Sequence, residues 1–205
     1  MTRTRMENQS LRSAEPLQAT RAQVARPPST GAPDGAESGH HRRQVIGRSM
    51  RSPRVVPSAP RSRHREVVEV ITALADSLVV GDALDPATQI GPLATAEHRT
   101  RVEECIRLGR SEGAKLTAGG SRPEGAGCGW FVQPTVFDEV DNGWRIAQEE
   151  IFGPVLTVTV YDDEAEAVRL ASDSPYGLAG TVWSGDHEHA NAVARELRTG
   201  SYAKA

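Results

Sequence analysis

Aromatic residues are scarce, nine in 205 positions, and all nine lie at or after Trp130. Lysine is scarcer: Lys115 and Lys204 are the only two, so arginine carries almost all the positive charge. Cysteine occurs twice, as Cys105 and Cys128, with no Cys or His at ligand spacing. That excludes a disulfide framework and a zinc site, and no metal ligand set is assigned. A bridge between the two cysteines finds no support in the pattern around them. No stretch approaches the ~20 consecutive apolar residues that span a bilayer. The N-terminus also lacks the ~7–15-residue apolar core of a secretory signal. These absences lead to the expectation of a soluble, cytoplasmic protein with no membrane partner.

What is present is unevenly spread. Residues 1–64 hold twelve Arg against four acids (Glu7, Glu15, Asp34, Glu37), a balance of +8, and residues 65–205 hold twelve bases against twenty-three acids, a balance of −11. Seven of the thirteen Pro fall in the first 60 residues. Such a tract has too few large apolar side chains to offset ~1–2 kcal/mol of backbone entropy per ordered residue. Residues 1–60 therefore read as a disordered Arg/Pro/Ser-rich extension, and residues 61–205 as one folded domain. Three origins fit the extension. Its acid-poor, Arg-rich composition is that of an organelle transit peptide, although Pro27, Pro28 and Pro33 spoil an amphipathic helix. Scattered arginines could touch phosphates, but no aromatic residue is available to stack on a base, and no nucleic-acid partner is expected. The favoured reading is a non-functional stretch, the product of a GC-rich gene translated out of frame or from a wrong start.

From Glu66 the sequence becomes periodic. Val67, Ile71, Leu74 or Ala75, and Leu78 recur at helical spacing, with Gly81 as the expected stop. A Pro/Gly-punctuated loop follows, then a second helix from a Thr95 N-cap to Glu112, ended by Gly113, with Val102, Cys105 and Ile106 inward. Lys115–Ala118 is a predicted strand, as are the β-branched runs WFVQPTVFDEV and GPVLTVTVYDD. Asp162 or Asp163 should cap a helix to Ser172, with Ala165, Val168 and Leu170 or Ala171 inward. LAGTVWS is a further strand, Asp186–Leu197 a helix stopped by Gly200, and SYAKA the start of a last strand. Strands alternating with helices of this length indicate an α/β fold with a mainly parallel sheet.

The octapeptide Glu149-Glu150-Ile151-Phe152-Gly153-Pro154-Val155-Leu156 resembles the signature of the NAD(P)-dependent aldehyde dehydrogenase superfamily. The segments Leu78–Leu93, Gly129–Phe137, Tyr176–Ser184 and Leu197–Ala203 follow the family pattern in order on both sides. The resemblance implies a partial aldehyde-dehydrogenase-like catalytic domain. It also implies NAD or NADP as cofactor and oxidation of an aldehyde to a carboxylic acid in complete relatives. By the same resemblance Glu150 would accept hydrogen bonds from the nicotinamide ribose hydroxyls, as a carboxylate can. Phe152 would lie beside the nicotinamide. If the segment is extended, alternate residues share a side and both can face one cofactor. Gly153 and Pro154 are expected to shape the turn.

The family's chemistry uses a Cys nucleophile and a Glu general base, and the resemblance places both upstream of residue 65. Residues 1–64 contain no Cys. Gly31 and Gly35 do not make a phosphate loop, since no strand precedes them and no helix follows. Cys105 is expected in a helix interior and Cys128 in a Gly-rich loop without an activating base, so neither is assigned a catalytic role. His40, His41 and His64 lie in or beside the extension, His98 on a helix, and His187 and His189 at a helix start. Relatives continue past the last strand, and Lys204 departs from their pattern. The expectation is a domain truncated at both ends, inactive alone. The alternatives are a non-catalytic module that pairs with an intact family subunit in a family-type oligomer contact, and a gene-model artefact. Missing neighbouring strands would leave exposed edges, so folding in isolation is in doubt.

Overall fold

The computed structural model describes residues 57–125 and 128–204. The expected extension therefore lies, through residue 56, outside the described residues, together with His40, His41, Gly31 and Gly35. The first regular element among the described residues is β1, Ser58–Pro60, three residues before the boundary read from composition. β1 runs parallel to β5, Thr159–Tyr161. A single 3-10 turn leads into α1, His64–Ser77, whose Val67, Val68 and Ile71 pack on Ala59, Ala118, Val136 and Val158. Gly81 does not stop this helix, which ends at Ser77 with Leu78 already extended. The chain leaves early because Val80 is committed to a parallel bridge with Ile90, and the Gly81 N–H donates to the Ile90 carbonyl at 3.0 Å.

α2, Ala96–Glu112, has the expected ends. The Thr95 hydroxyl accepts from the His98 backbone N–H at 3.0 Å, and Gly113 closes the helix at φ 99°, a left-handed angle that suits glycine. β2, Lys115–Ala118, is as predicted and pairs antiparallel with β3, Thr135–Asp138, across a register shift between Leu116 and Ala118. The predicted run from Trp130 to Val140 is a strand only over those four residues. Pro134 has no N–H to give a ladder, and Gln133 bonds instead to the Ser121 carbonyl at 3.0 Å.

The run after Gly153 is likewise divided. β4, Val155–Thr157, lies parallel to β3, whereas β5 pairs with β1. Val158, fully buried between them, donates to Phe137 O at 2.8 Å and accepts from Val140 N at 3.2 Å. One apolar run thus serves two sheets. Between β3 and β4 stands the short helix α3, Arg145–Gln148. α4, Glu164–Ser172, is capped by Asp163 but buries no residue fully; Ala165 is exposed, contrary to expectation, and of the Leu170 and Ala171 alternatives Leu170 is the one partly buried. It rests on β1 and β5 by one narrow edge, with Val168 turned toward the last apolar cluster. β6, Ala179–Val182, pairs parallel with β7, Ser201–Lys204. Between them α5, His187–Glu196, is capped by Asp186 and buries Ala190, Val193 and Ala194. It ends at extended Leu197, before Gly200 can act as a stop. The strand pairs are parallel except β2–β3, so the α/β reading holds.

The main core lies between α2, β3 and α3, around Val102, Ile106, Phe137, Ile146 and Ala147. Gly109 is part of it, because a Cβ there would sit 2.2 Å from Ile146 Cδ1 and 3.3 Å from the Phe137 ring. Gly109→Ala is expected to destabilise the chain by ~1–3 kcal/mol through overpacking. Urea unfolding followed by circular dichroism checks this, and an unchanged midpoint would show that α2 and α3 are not closely packed.

Candidate functional site

The octapeptide follows directly from α3, and α3 is too short to hold itself. The Ala147 and Gln148 N–H groups reach the Trp144 carbonyl at 3.0 and 3.1 Å, which leaves the first two, on Arg145 and Ile146, without backbone partners. The Glu112 carboxylate at the end of α2 accepts from both, Arg145 N at 2.9 Å and Ile146 N at 3.2 Å. Ile146 and Ala147 turn into the main core, and Glu149 leaves the helix in extended conformation. Arg145 pairs with Glu149 at 2.7 Å one turn later. Gln148 donates to the carbonyls of Asn142 and Asp173.

Glu150 is half-buried, Ile151 buried at 7% exposure, and Phe152 56% exposed. Glu149 is engaged by Arg145, whereas Glu150 has no ion-pair partner among the described residues. Phe152 sits at φ +52°, in the left-handed region, where a non-glycine residue carries a cost of order 1–2 kcal/mol. The segment is therefore not extended through Phe152, and simple alternation does not account for its geometry. Burial does: Ile151 anchors the stretch in the core and leaves the residues on either side accessible. The strained turn is held by His98, whose Nε2 donates to the Phe152 carbonyl at 2.7 Å. Gly153 then passes so close to α2 that a Cβ would come within 2.7 Å of Val102 Cγ2. Gly153 thus serves close packing as well as the turn.

These features fit a ligand with hydroxyl donors and a flat ring. A carboxylate free of a neighbouring cation keeps its acceptor capacity for hydroxyl groups. An aromatic face held out of the core at a conformational cost offers a surface to stack on.

Cys105 lies beneath this segment, half-buried against the main core. Burial pushes its thiol above the usual range, and the carboxylates of Glu149 and Glu104 push the same way. A nucleophilic cysteine needs the opposite shift. Cys128 is exposed. His64 belongs to α1, not to the extension, and its Nε2 lies 2.5 Å from Oδ1 of buried Asp138. His187 and His189 open α5, with His189 paired to Glu164 at 2.7 Å. Among the described residues no group of three or more His, Cys, Asp or Glu is placed to hold a metal ion.

His98 and Glu112 carry much of this arrangement, and no local pattern singles them out. His98 is 54 positions from Phe152, and Glu112 is 33 from Arg145. The one available signal is their spacing with Val102, Ile106 and Gly109 along one helix row.

A profile of the aldehyde dehydrogenase family matches residues 52–203. The chain is 54% identical over 143 residues to geranial dehydrogenase of Castellaniella defragrans, a match covering 70% of this chain and 30% of that protein. It is 48% identical over 143 residues to 3-succinoylsemialdehyde-pyridine dehydrogenase of a Pseudomonas species, covering 69% and 30%. Among solved structures, Mycobacterium tuberculosis aldehyde dehydrogenase complexed with NAD+ is similar at a TM-score of 0.72 and 51% identity, over 73% of this chain and 31% of that one. The chain spans about 30% of the length of these curated relatives.

The backbone at Phe152 supplies a test of the site. Phe152→Gly removes an exposed ring and the left-handed penalty, at the cost of greater chain entropy in the unfolded state. It is expected to leave stability unchanged or to raise it by ~0.5–1 kcal/mol. Thermal unfolding measures this, and a loss of more than ~1 kcal/mol would mean the ring is a core element after all.

Proposed function

The chain belongs to the aldehyde dehydrogenase family, and from that premise we propose that it carries the nicotinamide-facing edge of an NAD- or NADP-dependent oxidoreductase that converts an aldehyde to a carboxylic acid. The observation that carries this reading is Glu150 and Phe152 flanking a buried Ile151, one a carboxylate without a cation partner among the described residues, the other a strained, exposed aromatic. In this reading the Glu150 carboxylate accepts from the ribose hydroxyls and the Phe152 ring lies beside the nicotinamide. The nicotinamide, when bound, would supply the hydride acceptor of the reaction. His98 and Glu112 fix the segment that presents both groups. NAD+ in the Mycobacterium tuberculosis relative supports the cofactor class.

The chain alone is proposed to be inactive. Its two cysteines are a half-buried one, disfavoured as a thiolate, and an exposed loop residue. Loss of the covalent nucleophile from a comparable catalytic unit costs ~10⁶ in rate. Glu150 also cannot hold the cofactor by itself: a hydrogen bond to a charged group contributes ~1.5–3 kcal/mol, and a micromolar Kd needs ~8 kcal/mol. Free cysteines, and the lack among the described residues of a helix long and apolar enough to cross a membrane, are compatible with the cytoplasm as its compartment.

A second reading is favoured by the sheets. Each has only two or three strands among the described residues, so strand edges are available to another chain. The chain would then act as a non-catalytic module that pairs with an intact family subunit. Co-expression with a tagged, complete aldehyde dehydrogenase tests it, and failure to co-purify removes this reading.

For the main proposal, isothermal titration of the full chain with NAD+ is expected to show no binding in the micromolar range. A micromolar Kd would overturn the claim that the chain cannot hold its cofactor alone.

A further inference from the structure

Helix α2 carries a second row of side chains on another face. Glu103, Arg107 and Arg110 follow at four- and three-residue spacing and so lie one above the other. They look across to the loop after β2, and between them is a cavity of about 280 Å³. Ile106 and Val132, 3% and 2% exposed, form its apolar base, and Arg122 closes the far side.

The guanidinium groups are placed by their neighbours. Arg122 makes a two-pronged contact with Glu103, at 2.5 Å to one carboxylate oxygen and 2.9 Å to the other. Arg110 Nη2 donates to the Gly120 carbonyl at 3.1 Å, and Gly120 must be glycine for this, because a Cβ there would lie 2.5 Å from that nitrogen. Arg107 pairs with Glu104 only at 3.7 Å, outside hydrogen-bond distance. Three guanidinium groups therefore line the cavity against Glu103, and with Glu104 beside Arg107 counted the surplus is one positive charge. Arg110 uses one donor on Gly120, which leaves further donors on a fixed planar group. Arg107 and Arg110, three residues apart, have Cβ atoms ~5–6 Å from each other, close enough to share one anion.

We propose that this cavity binds a small organic carboxylate, its oxygens on Arg107 and Arg110 and its apolar body over Ile106 and Val132. The planar fork of arginine matches a carboxylate in two-pronged fashion. The apolar base favours a ligand with a hydrocarbon body over a bare inorganic anion. The site stands apart from Glu150 and Phe152, and its occupancy does not depend on the cofactor.

Isothermal titration of the full chain with sodium benzoate tests this. Saturable binding is expected, weakened about fivefold or more by Arg107→Gln and by Arg110→Gln, since each removes a charge-assisted bond at a partly solvated site. Arg101→Gln, which deletes the same charge on α2 away from the cavity, should bind as the parent does. Benzamide, with the same ring and no charge, and inorganic phosphate, with charge and no ring, should each bind more weakly than benzoate. Arg107 is 70% exposed, so its variant keeps the test open should Arg110→Gln fail to fold by circular dichroism. Absence of saturation, equal affinity in Arg107→Gln, or phosphate binding as tight as benzoate would overturn the proposal.

Discussion

One row of side chains on α2 determines where the candidate site lies. His98, Val102, Ile106, Gly109 and Glu112 fall on one helix face, and each end of the row grips the segment from Arg145 to Gly153. Gly109 admits Ile146 and Val102 meets Gly153, so the segment runs antiparallel to the helix over roughly 10 Å, seven residues at ~1.5 Å each. Polar contacts lock both ends: the Glu112 carboxylate on the N-terminus of α3, and the His98 ring on the Phe152 carbonyl. Without the Glu112 contact the first two N–H groups of α3, on Arg145 and Ile146, would lose their partner. The His98 contact and the burial of Ile151 together offset the left-handed backbone at Phe152.

The site is rigid where it must be placed and open where it must bind. Ile151 and Ala147 lie in the main core, and Phe152 and Glu150 stand out of it. Within the segment from Arg145 to Gly153 the left-handed backbone is confined to Phe152 and supported by its neighbours. The same helix turns Glu103, Arg107 and Arg110 toward a different cavity, so α2 serves two surfaces through two rows of one periodic pattern.

Much of this was legible from sequence. The Thr95 and Gly113 ends of α2 and β2 at Lys115–Ala118 follow from local chemistry and stand in the structure as read, and the cap expected at Asp162 or Asp163 is Asp163. Local chemistry failed where tertiary pairing decided. Gly81 lost its role because Val80 pairs with Ile90, and one β-branched run was divided between two sheets by the bonds of Val158. Ala165 and Ala171 are exposed because α4 has little to pack against. His98 and Glu112 were not legible as parts of the site, because their partners are 54 and 33 positions away. The family resemblance rested on the octapeptide and on four flanking segments in order, and the match from 52 to 203 bears it out.

We propose that this chain has the cofactor-facing segment of an aldehyde dehydrogenase and no cysteine able to attack the aldehyde. The most direct test is the near-ultraviolet absorbance of NADH when the purified full chain is mixed with an aldehyde and NAD+. No aldehyde-dependent NADH is expected above the rate without protein. NADH formation that disappears in Cys105→Ser or Cys128→Ser would contradict the account, because it would identify a working nucleophile in this chain.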